Sequence, residues 1–295
     1  MITVPRIRRI DIAILLGLLG LAVLAQPVRS ESFSDKLTRQ LNSNAQRETQ
    51  KQLDRGLSVD EEAIKASLPE GADRRSVLRT RAALYEKVAD FPHAEADFNA
   101  LLGLSPSDPA VYLDRGYYYL RRQRYADAIA DFMAGARLEP RKTAYPYALG
   151  RVYAAMGQHE RAIGSYNDAI RLDSQDARAL LARAEAKINL ERYADAKVDY
   201  NRALRSALRS STDRFFAYVG RGYAAMVLEE WDAAVMDFDR ALEIDQNAFN
   251  AIVWRAYSNE RRGRVDLAIE DYERAITYDP ADAATRISLQ RLRSK

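Results

Sequence analysis

A chain of 295 residues, 47% of them hydrophobic, can bury a sizeable core, which excludes wholesale disorder. Lys and Arg number 45 against 42 Asp and Glu, a formal net charge of +3, and there is no Cys. That balance leaves no electrostatic footprint for nucleic acid, and the missing thiols exclude disulfides, thiolate metal sites and cysteine nucleophiles.

The first element reads as an export signal. Arg6, Arg8 and Arg9 precede an apolar run from Ile12 to Ala25, after which Gln26 and Pro27 begin polar sequence. Val23 and Ala25 place small residues ahead of a cut between Ala25 and Gln26, the order of a secretory signal peptide. As a helix the run reaches about 21 Å, short of a hydrocarbon core of about 30 Å. Residues 1–25 are therefore expected to be a cleaved signal peptide and the mature chain periplasmic or secreted. The alternative is a retained inner-membrane anchor facing the periplasm, the only case in which membrane contact is expected.

Residues 26–74 form a polar helical or linker segment with sparse Phe33, Leu37, Leu41 and Leu53. Within it Ser58 and Glu61 make a capping box that opens a short helix ending at Pro69.

From residue 75 the chain repeats itself. An alanine recurs as Ala94, Ala128, Ala162, Ala196, Ala234 and Ala268, at spacings of 34, 34, 34, 38 and 34. Four residues after each stands an aromatic: Phe98, Phe132, Tyr166, Tyr200, Phe238 and Tyr272. Twelve residues before each stands Ala82, Gly116, Gly150, Ala184, Gly222 or Ala256, and Pro106, Pro140 and Pro280 close three of the units. These residues resemble the tetratricopeptide repeat, a pair of antiparallel helices that buries its apolar face only by stacking on its neighbours. The resemblance implies an all-α, right-handed superhelical solenoid of antiparallel hairpins. Its six repeats are 75–108, 109–142, 143–176, 177–214, 215–248 and 249–282, sealed by a capping helix at 283–295 in which Ile287, Leu289 and Leu292 are the apolar residues. With the alanine at repeat position 20, the small residue at position 8 lets the two helices approach, and the aromatic at position 24 fills the space against the next hairpin.

Position 7 carries Arg81, Arg115, Leu149, Arg183, Arg221 and Arg255, and position 23 carries Asp97, Asp131, Ser165, Asp199, Asp237 and Asp271. Arginine and aspartate vanish together in the third repeat. The pair is therefore expected to bridge the two helices within each of five hairpins.

In this family, partners usually lie along the concave face built from each hairpin's first helix. Carried over by position, that groove comprises Arg79, Tyr117, Arg121, Tyr147, Arg151, Asn189, Tyr223, Met226, Trp254, Tyr257 and Arg261. Tyr, Trp and Arg dominate interface energetics. Tyr117, Tyr223 and Tyr257 either contact a partner or pack between first helices; Trp254 is read as a contact. The Lys and Asn pattern with which one subset of the family grips a chaperone's C-terminal carboxylate is missing. An apolar, aromatic and Arg-studded groove suits an extended segment or an amphipathic helix.

The 38-residue spacing is read as a longer fourth repeat, whose second helix carries Arg202, Arg205 and Arg209 on one face as a possible anion patch or a merely solvated one. Catalysis finds no motif. His159 stands at position 17, where other repeats carry Phe91, Tyr125, Tyr193 and Trp231, and reads as a packing substitute; His93 is out of register with it. No cofactor, metal or nucleic acid is expected. The expected function is an exported scaffold or adaptor that binds protein or peptide partners. The alternative is a regulatory or substrate-guiding module of an envelope enzyme or polysaccharide export machine.

Overall fold

The computed structural model describes residues 73–206, 208 and 210–294. The export signal, the Ser58–Pro69 helix and Arg209 lie outside the described residues. Thirteen helices follow one another with no strand among those residues. They are α1 Arg74–Lys87, α2 Phe91–Leu104, α3 Pro109–Arg121, α4 Tyr125–Leu138, α5 Ala144–Ala155, α6 His159–Leu172, α7 Ala177–Asn189, α8 Tyr193–Arg205, α9 Ser211–Val227, α10 Trp231–Ile244, α11 Phe249–Arg261, α12 Val265–Tyr278 and α13 Ala283–Arg293. Two compact units divide them: α1–α7 in the N-terminal unit, through Asn189, and α8–α13 in the C-terminal unit, from Leu190.

The helices start and stop where local chemistry dictates. Asp73, Asp90, Asp108, Ser210 and Asp282 cap α1, α2, α3, α9 and α13, each side chain accepting from a free N–H of the first turn. The turn inside every hairpin places one residue in the left-handed region: Ala89, Gln123, Gly157, Glu191, Glu229 and Gly263. The N–H of the next residue then closes back onto the helix it leaves, as when Arg124 N–H donates to the Tyr119 carbonyl at 2.9 Å and Glu230 N–H to that of Ala225 at 2.8 Å.

In each unit every helix packs on its sequence neighbours, and first helices also meet: α3 with α5, α5 with α7, and α9 with α11. The repeated alanines are fully buried. The position-24 aromatic sits on position 8 of its own hairpin; a Cβ added to Gly116 would stand 2.5 Å from the Phe132 ring. Such rings also reach the following hairpin, as Phe98 meets Tyr118 at 5.2 Å and Phe238 meets Trp254 at 5.9 Å. At the C-terminal end α13 covers Tyr272 with Leu289 and Leu292, whereas Ile287 faces solvent.

Four of the predicted Arg–Asp pairs lie within one unit, and all four close as two-pronged forks. Nε and Nη2 of Arg81, Arg115, Arg221 and Arg255 donate at 2.5–2.8 Å to the two carboxylate oxygens of Asp97, Asp131, Asp237 and Asp271. Those aspartates are buried, and so is Asp199 of the remaining pair. The third guanidinium nitrogen does something not foreseen. Nη1 donates backwards to position 25 of the preceding hairpin: Arg115 to Asn99 at 2.7 Å, Arg183 to Asn167 at 2.6 Å, Arg221 to Asn201 at 2.5 Å, and Arg255 to Asp239 at 2.6 Å. Arg115, Arg221 and Arg255 are thus staples through three helices. Where Leu149 replaces the arginine, position 25 ahead of it is Met133, which is 48% exposed.

One boundary moves. α8 ends at Arg205 and α9 begins at Ser211, ahead of the expected start at 215. The insertion lengthens the first helix of the fifth repeat rather than the second helix of the fourth.

Candidate functional site

In the N-terminal unit α3, α5 and α7 stand side by side, and a groove of about 510 Å³ opens along them. Leu120 and Arg121 of α3, Tyr147, Arg151 and Ala154 of α5, and Ala182, Glu185, Ala186 and Asn189 of α7 line it, with Gln123, Tyr125, Ala155, His159 and Tyr166 completing the wall. Four of the predicted groove residues, Arg121, Tyr147, Arg151 and Asn189, are thus brought together. Alanines at Ala154, Ala182 and Ala186 keep the walls low, so the tyrosines and arginines stand as the groove's relief.

The rings are held by packing. Tyr147 lies 6.0 Å from Tyr166 and beneath the Arg178 guanidinium at 5.5 Å. Tyr117 meets Phe132 edge-on at 5.2 Å and carries the Arg151 guanidinium 5.9 Å from its centroid. It is half-buried, and so packs between helices and supports a groove cation at once. Burial pushes both tyrosine hydroxyls above the ordinary tyrosine range.

The cations are not equivalent. Arg79 is engaged by Asp114 at 2.7 Å, Arg121 by Glu86, and Arg178 by Asp176 at 3.4 Å. The first two, placed in the groove by repeat position, spend their charge between adjacent hairpins. Arg151 is exposed and has no carboxylate within ion-pair reach among the described residues. The Asn189 amide donates to the Glu185 carbonyl at 3.1 Å. His159 fills the aromatic position as expected. Its Nδ1 is buried without a hydrogen-bond partner, and desolvation holds its pKa below the ordinary 6.5.

The corresponding positions of the C-terminal unit correct two expectations. Trp254 and Met226 are each only 5% exposed and belong to the core. The indole fills the gap between hairpins, 5.1 Å from Tyr223 and 5.9 Å from Phe238. Tyr223 is half-buried, its hydroxyl pushed up to about 12 by desolvation. Tyr257 and Arg261 do reach the surface region, with Trp231 as an unforeseen companion. Trp231 meets Tyr257 edge-on at 5.8 Å, and the Arg261 guanidinium lies 4.9 Å from the Trp231 ring. The recurring aromatic at position 17 was the available signal for Trp231.

Of the arginine stripe, Arg202 is half-buried and Arg205 exposed in the last turn of α8, which stops at Arg205, and Arg209 lies outside the described residues. No group of three or more His or carboxylate residues could hold a metal ion among the described residues.

Comparison with known proteins agrees with this geometry. Models described as tetratricopeptide repeat match residues 80–145 and 219–284, and 177–208, and one described as TPR repeat matches 150–190. Together they span well over half of the chain. The DnaJ homolog subfamily C member 7 homolog of Schizosaccharomyces pombe is 26% identical over 168 residues, 53% of this chain and 35% of that protein. The chain thus spans about a third of that relative's length. Among solved structures, YrrB, a TPR protein with an unusual peptide-binding site, superposes with a TM-score of 0.56 at 16% identity, over 65% of this chain and 97% of that one. PilW, a type IV pilus biogenesis factor, superposes with a TM-score of 0.61 at 14% identity, over 74% of this chain and 100% of that one. At such identities the likeness is one of fold.

Proposed function

The chain belongs to the tetratricopeptide repeat family, and from that premise we propose that it is an exported scaffold whose α3–α5–α7 groove holds a segment of a partner protein. Repeats of this kind serve protein interaction and are generally not catalytic. One observation carries the reading: Tyr147 and Arg151 stand together in a preformed groove walled by alanines. The peptide-binding site of YrrB lends support, since the two chains share the fold. The order of basic, apolar and small residues at the N-terminus supports export to the periplasm.

Crosslinking in the native envelope, followed by mass spectrometry, tests the binding reading. The expected outcome is a protein partner recovered by the wild-type chain and lost from a folded Tyr147→Ala, Arg151→Ala variant. Equal recovery by both chains would remove the groove from the account. Intact-mass measurement tests export, with a mature chain beginning at Gln26 as the expected species and a full-length cytosolic chain as the contrary one.

A further inference from the structure

One arginine-rich turn occurs twice in the chain, and its charges are settled only once. Arg121, Arg122, Gln123 and Arg124 lead from α3 into α4, and Arg261, Arg262, Gly263 and Arg264 lead from α11 into α12. In the second hairpin Arg121 is engaged by Glu86, and Arg124 by Glu95 at 2.6 Å and Asp127 at 2.7 Å. In and before the sixth hairpin the repeat positions of those acids, 12, 21 and 19, hold Met226, Val235 and Leu267. Arg262 pairs with Asp232 at 2.6 Å. Arg261 donates to the Tyr257 hydroxyl at 3.5 Å and lies over the Trp231 ring, and Arg264 is exposed. Neither Arg261 nor Arg264 has a carboxylate within ion-pair reach among the described residues.

These cations border a cleft of about 590 Å³ in the C-terminal unit, where the turns of the fifth and sixth hairpins meet. Trp231, Arg262 and Arg264 line it with three acids, of which Glu230 is engaged by Lys197 and Asp232 by Arg262. Glu229 is the third, so the open charges are two guanidiniums against one carboxylate. Val265 and Leu267 add exposed apolar side chains in the first turn of α12. A guanidinium lying on an indole keeps one face dry, which strengthens the bond its edge makes to a carboxylate. Tryptophan and arginine are also the residues on which interface energy concentrates.

We propose that this rim docks an acidic stretch of a protein partner, which supplies in trans the carboxylates that Glu86, Glu95 and Asp127 supply to the matching turn within the chain. The partner's carboxylates sit on Arg261 and Arg264, and its apolar neighbours cover Trp231 and Leu267. The site lies at the turns rather than along the first helices, and it does not rest on the α3–α5–α7 groove.

The test is a randomised peptide library displayed on phage and panned against the full chain, with affinities of the selected peptides measured by fluorescence anisotropy. A class of peptides with acidic residues beside apolar ones is expected, bound equally well by Tyr147→Ala. Arg264→Gln should weaken them at least about tenfold, the scale of one charge-assisted contact. Leu267→Asp restores the acid that Asp127 places three residues after Arg124, and should weaken them as much by occupying Arg264 from within. Both positions are exposed, so both variants should melt with the wild type, which circular dichroism verifies. Selected peptides that all depend on Tyr147 and none on Arg264 would overturn the rim site and leave the groove reading standing. Acid-free peptides at the rim, or acidic ones indifferent to Leu267→Asp, would overturn it as well. Dextran sulfate that binds through Arg264 while no peptide is enriched would overturn the protein partner in favour of an anionic polymer. Binding of neither probe would overturn the docking site itself.

Discussion

Equivalent repeat positions build a groove in the N-terminal unit and a packed core in the C-terminal unit. The difference lies at position 6. On α5 and α7 that position is Ala148 and Ala182, so the space beside Tyr147 and Arg151 stays open as a groove. On α11 it is Trp254, whose indole turns into the gap between hairpins and packs on Tyr223 and Phe238. A large apolar side chain on an inner helical face buries itself if a neighbour leaves room, because area removed from water stabilises the fold whether or not a partner exists. An inner-face aromatic is therefore evidence of binding only when small residues surround it.

This contrast can be broken by mutation. Trp254→Ala should cost roughly 3–5 kcal/mol of stability in urea titration, as expected for a buried aromatic, while Arg151→Ala should stay within about 0.5 kcal/mol of wild type. Equal midpoints for the two variants would erase the distinction. Next in size, Asp131→Ala orphans the Arg115 guanidinium that fastens α3 to α4 and should cost about 3 kcal/mol. Pairing Asp131→Ser with Arg115→Leu, the residues that the third repeat uses, should recover most of that loss. If the double variant is as unstable as the single one, the cost does not come from a stranded charge. The hairpin turns are predicted to respond alike in both units. Gln123→Gly and Glu229→Gly should each add about 1 kcal/mol by removing a side chain from the left-handed region, and Gly157→Ala should lose a similar amount.

The smallest effect concerns His159 beside the groove. Its folded-state pKa lies below 6.5, so the folded chain prefers the neutral ring; stability is held above that pH and declines as pH falls through it. His159→Phe, an aromatic of the kind found at the same position elsewhere, should flatten this acid limb of a stability–pH profile. An unchanged limb would assign the acid sensitivity to other groups.

Much of this was legible in the residues. The recurring alanine and aromatic announced every hairpin, and the joint loss of arginine and aspartate in the third repeat announced the forks. The backward bond to position 25 was equally legible, since Asn99, Asn167, Asn201 and Asp239 each precede an arginine and Met133 precedes Leu149, although one aspartate per arginine already accounts for their joint loss in the third repeat. Other features depended on how hairpins superpose. Arg79 and Arg121 share a face with Arg151, yet Asp114 and Glu86 reach them from adjacent hairpins, and no spacing within one repeat encodes that. Trp254 failed for a related reason, because its burial is decided by the shape of the neighbour it enters.

The three-way arginine staples also give the array a grammar of assembly. The second, fourth, fifth and sixth hairpins each present an arginine that reads the second helix upstream of it. Such modules are directional, and their order matters for editing the chain. Excising the third repeat alone would set Met133 upstream of Arg183, a thioether where the guanidinium seeks an oxygen. Excising the second and third together would bring Asn99 to that place and restore the match. The second and third hairpins thus travel as a cassette, with Met133 and Leu149 at the joint between them and a matching oxygen or arginine only at its outer ends.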